Sequence, residues 1–356
     1  MKKICVALFL ICLTGAMVFA GGGGQAAPSG GTAAAGGAKS LSGDLVLYST
    51  MTDHDLTNLL KGFGDKYPNI NVEVVNGSAG ELTSRIKAEA ANPQGDVMWG
   101  GLNNGDGDTY KDIFEPWLTQ YENELYDDYK SNNGFYSLDH LSTIVFCVNT
   151  DLEKQLGLNI RGYADLLDPK LAGKIVLSDP NSSSAAWNNV SNIMAVYGND
   201  SQQSWDLIEK LMRNNMVIVS SSSVCFRAVV DGEYVVGLTY EDGVAPLLKA
   251  GAKSIKMVYP AEGASAFAFG LAVVKGAKNM ENAKAMVNYL MSAEGQSYMG
   301  NALGTLRFTN KTAKYNSPYL PPDNTIKWVT RDINWLIKNK AQVLEKWNRL
   351  YASIKR

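Results

Sequence analysis

Three short apolar runs between Asp44 and Gly101 each end in small or hydroxyl residues, with helical stripes between them. Asp44 to Tyr48 delivers Ser49-Thr50. Leu56, Leu59, Leu60, Phe63 and Tyr67 then recur at helical spacing, and Pro68 stops the stripe. Ile70 to Val75 empties into Gly77-Ser78, followed by Leu82, Ile86 and Ala90; Asp96 to Trp99 ends in Gly100-Gly101. Thr52 with Asp55, and Ser78 with Glu81, have capping-box spacing. Strand–helix–strand–helix–strand implies a parallel sheet with right-handed crossovers. Such sheets bind ligands at the carboxyl ends of their strands. The chain has neither G-x-G-x-x-G nor a Walker sequence, which argues against a nucleotide.

Asn103 to Gly134 reads as loop and short surface helices, and Asp165 to Leu171 as a short helix before a turn. Lys174 to Ser178 is a strand leading to Ser182-Ser183-Ser184, and Ala185 to Tyr197 and Ser204 to Arg213 are helices. Val217 to Val219 feeds a run of four serines, Ser220 to Ser223, at the start of a short helix that Gly232 ends. Tyr234 to Leu238 is a strand that empties into Thr239-Tyr240-Glu241-Asp242-Gly243, with a short helix after Pro246. Ile255 to Tyr259 and Ala266 to Val274 are strands. Asn279 to Met291 and the tail from Thr325 to Tyr351 are helical. Leu141 to Asn149 and Ala266 to Val274 are long enough to pass between two lobes, as a two-stranded hinge requires.

The chain has 356 residues. Met1-Lys2-Lys3, the apolar stretch Ile4 to Val18 and the small residues to Ala20 form a secretory signal peptide, with cleavage near Ala20. Neither Cys5 nor Cys12 stands in a lipidation context. Residues 21–40 are nearly all Gly, Ala, Ser and Pro, a flexible linker that cannot bury enough apolar area to order itself. About 315 residues remain, more than one core usually serves, so two lobes are expected. The boundaries are 41–141 plus 266–304 for the first lobe and 142–265 plus 305–356 for the second. The net charge is −2, and no basic block exists to bind nucleic acid. An anion site here has to be local. Cys147 and Cys225 lie in apolar contexts, read as buried free thiols ahead of a disulfide; no metal-ligand spacing is present.

Hydroxyls stand at a strand end ahead of a helix in four places: Ser49-Thr50, Ser78, Ser182 to Ser184, and Ser220 to Ser223. Any one alone is explained as an N-cap. Four together, two in each lobe, match converging helix starts, where unpaired N–H groups bind phosphate without Lys or Arg. Ser221, Ser222, Ser223, Gly100 and Gly101 therefore join the candidates. Glu241 and Asp242 at a strand end suit sugar hydroxyls or an ammonium; their alternative is a solvated loop. Trp99 is open between core and a stacking surface, with core favoured. Arg85 and Arg227 read as salt-bridged helix residues. His54 is the one tempting catalytic base, and neither histidine has a persuasive nucleophile in sequence, so no enzyme is expected.

The signal peptide, L-V-L-Y-S-T, I-K-A-E-A-A-N-P-Q-G-D-V-M-W-G-G, G-E-Y-V-V-G-L-T-Y-E-D-G and V-V-K-G-A-K-N-M-E-N-A-K together resemble solute-binding proteins of ATP-binding-cassette importers. The nearest branch is the ferric-ion, phosphonate and sugar-phosphate group. The resemblance implies an α/β type 2 periplasmic binding fold, two lobes on a two-stranded hinge closing over ligand. It also implies a periplasmic location, a membrane permease as partner, and C-terminal helices on the second lobe. Ferric-ion members carry tandem tyrosines where this chain has Tyr240-Glu241-Asp242-Gly243, and a His at about Thr52. Where they carry an Arg ahead of the first hinge strand, this chain has Ser142, which joins the candidates. The expectation is therefore a monomer that binds a phosphorylated sugar through serines of both lobes and Glu241, without cofactor or metal. An aminoalkylphosphonate is the first alternative and ferric ion the second.

Overall fold

Strands β1 (Gly43–Ser49), β2 (Ile70–Asn76) and β3 (Val97–Asn103) alternate with helices α1 (Asp53–Lys66) and α2 (Ala79–Ala88). β1 pairs in parallel with both β2 and β3. The computed structural model describes residues 41–354; the expected signal peptide and linker lie outside the described residues. Both capping boxes form, Thr52 with Asp55 and Ser78 with Glu81. Leu56, Leu59 and Phe63 turn inward from α1, each contributing about 1.5–3 kcal/mol on full burial.

β4 (Ser137–Asn149) is thirteen residues long and buried throughout. Its first part, Ser137 to Thr143, pairs antiparallel with Ala266 to Leu271, and its second, Ile144 to Val148, with Val236 to Tyr240. One strand thus belongs to two sheets. Beyond it come α3 (Thr150–Gln155), β5 (Ile175–Ser178), α4 (Ser184–Tyr197), α5 (Gln202–Arg213), β6 (Val217–Val219), α6 (Val224–Val230) and β7 (Val236–Tyr240). Then follow α7 (Glu241–Lys249), β8 (Ile255–Val258), β9 (Ala266–Val273), α8 (Met280–Met291), α9 (Ala293–Leu303), β10 (Arg307–Phe308) and α10 (Ile333–Ile354). The order is β2-β1-β3-β9-β4-β7-β5-β6, with β8 and β10 also on β4.

Each half of this arrangement has apolar residues on both faces of its sheet. Leu45, Leu47, Val97 and Leu271 face α1, α8 and α9, whereas Tyr48, Met98, Leu138 and Ala272 face α2 and the 110–136 segment. Leu177, Val236 and Leu238 pack on α4, α5 and α10; Val145, Cys147 and Val176 pack on α6 and α7.

Two expectations are corrected. The helix placed after Pro246 starts earlier, at Glu241, and carries Pro246 inside it. Glu241 and Asp242 occupy its first turn, where acids complement the positive helix end, so neither is a loop residue. The tail holds one long helix, α10, rather than helix from Thr325 onward. Its Leu336, Val343 and Trp347 enter the α4/α5 core. Cys147 and Cys225 are free and buried, and burial pushes their thiols up to about 12 and about 11.

Candidate functional site

The ends of β1 and β3 are locked together by small residues. Gly100 and Gly101 have φ of +84° and +75°. A Cβ on Gly100 would meet Thr50 Oγ1 at 2.5 Å, and one on Gly101 would meet Ala79 Cβ at 2.6 Å. Ser49 is buried, donating to the Trp99 carbonyl at 3.1 Å and accepting from Met51 N at 3.1 Å. Ser78 spends its hydroxyl on the α2 capping box. The stacking alternative for Trp99 is corrected: its ring is fully buried and its Nε1 donates to Asp139 Oδ2 at 2.9 Å. A buried indole N–H needs an acceptor, and that bond fixes the ring in the core.

Beside the hinge strands, four of the candidate side chains, Ser142, Ser184, Ser222 and Asp242, converge on an actual space. Ser142, Ser184, Ser222, Tyr240 and Asp242, with Ala185, Phe267 and Phe269, line a cavity of about 190 Å³. Ser142 and Phe267 are register partners across β4 and β9 and so share one face. Ser142 Oγ donates to Asp242 Oδ1 at 2.5 Å. Burial raises the Asp242 carboxyl, and the Ser142 bond opposes that. Behind it His140 Nδ1 lies 3.0 Å from Asp139 Oδ1, with its ring stacked on Phe269. Burial would lower the His140 pKa, but Asp139, and more weakly Asp242 and Asp55, hold it above its ordinary value. Asp55 belongs to the first turn of α1, so that helix start faces the same region.

The remaining serines are occupied locally. Ser183 caps α4 through Ala186 N at 3.3 Å and accepts from Ser178 at 2.9 Å. Ser182 bends back to the Asp179 carbonyl. Ser221 and Ser223 bond each other at 2.9 Å, and Ser223 makes no side-chain cap.

Glu241 is corrected as a contact of this cavity. Its Oε2 accepts from Tyr259 Oη and from Arg307 Nε, the latter at 3.0 Å. Successive helical residues point about 100° apart, so Asp242 reaches the cavity while Glu241 turns to the buried arginine. Burial pushes Glu241 up to about 7, and Arg307 opposes that push. Arg307 also pairs with Asp323 and donates to the Pro321 carbonyl at 2.7 Å. It ties α7 to the C-terminal segment.

Tyr240, Phe267 and Phe269 line the candidate cavity, and the sequence did not single them out. The two phenylalanines alternate along an apolar strand and read as core, because period-2 spacing does not say which face meets a cavity. A larger cavity of about 610 Å³ lies by Leu141, Ala266, Arg307, Trp328 and Arg331. Leu141 and Ala266 alternate with Ser142 and Phe267, so it opens on the opposite face of the hinge strands. Its lining includes Thr330 and Ile333 at the start of α10 but none of the four serine-bearing strand ends, two of which meet at the smaller cavity, and the smaller cavity is the candidate site.

A β4 shared by two α/β halves, with a hydroxyl-lined cavity beside the crossing, defines a type 2 periplasmic binding protein, a non-enzymatic component of import. The family described as bacterial extracellular solute-binding protein matches residues 58–322, and the chain belongs to it. It serves as the substrate-binding component of an importer with a membrane permease. An uncharacterised protein of Haemophilus influenzae is 26% identical over 314 residues, covering 86% of this chain and 90% of that one. A putative 2-aminoethylphosphonate-binding periplasmic protein of Salmonella typhi is 26% identical over 65% of this chain and 68% of its own. Among solved structures, the periplasmic binding protein AfuA of Actinobacillus pleuropneumoniae, with exogenous fructose-6-phosphate bound, matches with TM-score 0.71 and 26% identity, covering 87% of this chain and 98% of that one.

Proposed function

We propose that this protein captures a phosphorylated sugar, of the hexose phosphate class, in the 190 Å³ cavity and hands it to its permease in a closed form. The observation that carries the reading is the meeting of the α4 start at Ser184, the Ser222 hydroxyl and the Asp242 carboxylate around one space beside the hinge strands. The phosphate rests at the α4 start, where unpaired N–H groups and the helix dipole favour an anion. Asp242 accepts from sugar hydroxyls, and Phe267 and Phe269 flank the ring. Thr50, Ser78 and Gly101 form the opposing jaw, and closure brings them onto the ligand. AfuA's bound fructose-6-phosphate supports the sugar phosphate.

A second reading, an aminoalkylphosphonate, is favoured by one feature. Asp242 is an acid on an otherwise uncharged cavity wall, a natural partner for an ammonium. The Salmonella relative's name points the same way. Isothermal titration of the mature protein with hexose phosphates and with 2-aminoethylphosphonate separates the two. Hexose phosphate binding with no phosphonate binding is expected; the reverse would overturn the first reading.

A further inference from the structure

Between α4 and β9 sits a cation without a counter-ion. Arg331 is 6% exposed. Its Nη1 donates to Asn188 Oδ1 at 2.9 Å and Ser191 Oγ at 3.1 Å, both on α4. Its Nε and Nη2 are buried without an acceptor, and among the described residues no carboxylate pairs with it. Its guanidinium carbon lies 4.7 Å from the centroid of the Phe267 ring. Phe267 lines the candidate cavity, whose lining includes no lysine or arginine.

A buried charge that no carboxylate neutralises keeps its field, and an aromatic ring screens that field far less than water does. Some of it therefore falls across Phe267 into the cavity. A ligand atom in contact with the ring would lie on the order of 8 Å from the guanidinium, given ordinary van der Waals spacing. The acids already there work the other way: Asp242 on the wall, with Asp139 and Asp55 near it, and His140 partly offsetting them. An anionic ligand needs a positive source, and the contacting side chains supply none.

We propose that Arg331 is a specificity-determining residue of the cleft, supplying through Phe267 the positive potential that selects an anionic ligand. It acts through the ring and touches no ligand atom. The inference rests on the reading of the cavity as the ligand site. It adds that anion preference is set by a residue behind the wall, in the segment just ahead of α10.

The test compares Arg331→Gln and Arg331→Lys with the wild type, titrating hexose phosphates and 2-aminoethylphosphonate from pH 5 to 7.5. Over that range the phosphate of a sugar phosphate passes from one negative charge to two, with a second pKa of about 6. The Gln variant should bind about tenfold more weakly at pH 7.5 and lose less at pH 5, and the Lys variant should recover most of the loss. If the Gln variant fails to fold, Arg331→Met is read in the same way. Wild-type affinity in the neutral variant, or a loss that does not change with pH, would overturn the inference. The pH-independent loss would mark Arg331 as a packing tie between α4 and the tail. A wild type that binds neither class of ligand overturns the reading of the cavity itself, and this inference with it.

Discussion

Ser142 and Asp242 meet at 2.5 Å, joining the middle of β4 to the first turn of α7. The bond closes one wall of the cavity and leaves the second carboxylate oxygen for other partners. It also places the cavity's one lining acid beside the strand that both sheets share.

Asp242→Asn separates the two ligand readings. Without the charge, a hexose phosphate should bind at least as well, because an amide still bonds hydroxyls and repels the phosphate less. An aminoalkylphosphonate should weaken by about tenfold or more, the scale of a charge-assisted bond. Titration calorimetry on both variants reads the difference.

Ser184→Ala and Ser222→Ala each remove a hydroxyl from the cavity wall. Each should weaken the phosphorylated ligand by roughly 1.5–3 kcal/mol, the value of a hydrogen bond to a charged group. Ser182→Ala serves as the control, since that exposed side chain bends back to the Asp179 carbonyl. Equal losses in all three would count against the cavity.

Trp99→Phe leaves the Asp139 carboxylate with one partner fewer in the core. Stability should fall by about 1–3 kcal/mol, the cost of an unmet buried group, while ligand affinity stays within twofold. Urea unfolding and calorimetry together check this. A large affinity loss at unchanged stability would return Trp99 to the binding site.

Glu241 gives a pH dependence with a definite sign. Its folded pKa, about 7, lies above the ordinary 4.5. The folded state holds the proton more tightly, so this group favours folding below about pH 4.5. That contribution is lost as pH rises to about 7. The wild type minus Glu241→Gln difference in melting temperature should therefore fall across that window. A flat difference would show that Arg307 keeps Glu241 ionised throughout.

Cys147 and Cys225 are buried and raised well above the usual thiol range. Neither should react with a disulfide reagent in the folded protein at pH 8, and both should react in guanidinium. Rapid labelling of the native form would show that the α6–β4 contact opens.

The βαβαβ start, both capping boxes, the long β4 and the family were legible in the sequence. Each rests on local rules: hydrophobic period, side chains that satisfy neighbouring N–H groups, and short motifs. The serine runs were legible as helix starts for the same reason. Which serines face a cavity was not, because Ser182, Ser183 and Ser184 differ only in how the turn before α4 directs them. Glu241 and Asp242 are adjacent, yet one meets Arg307, sixty-six positions away, and the other meets Ser142, one hundred away. Only tertiary structure could divide their roles, since a buried charge is settled by whichever partner the fold delivers. The sequence by itself determined the class of binding protein and the chemistry available to it. Packing across β4 and β9 decided which few of those side chains share a space, and put Arg331 behind Phe267.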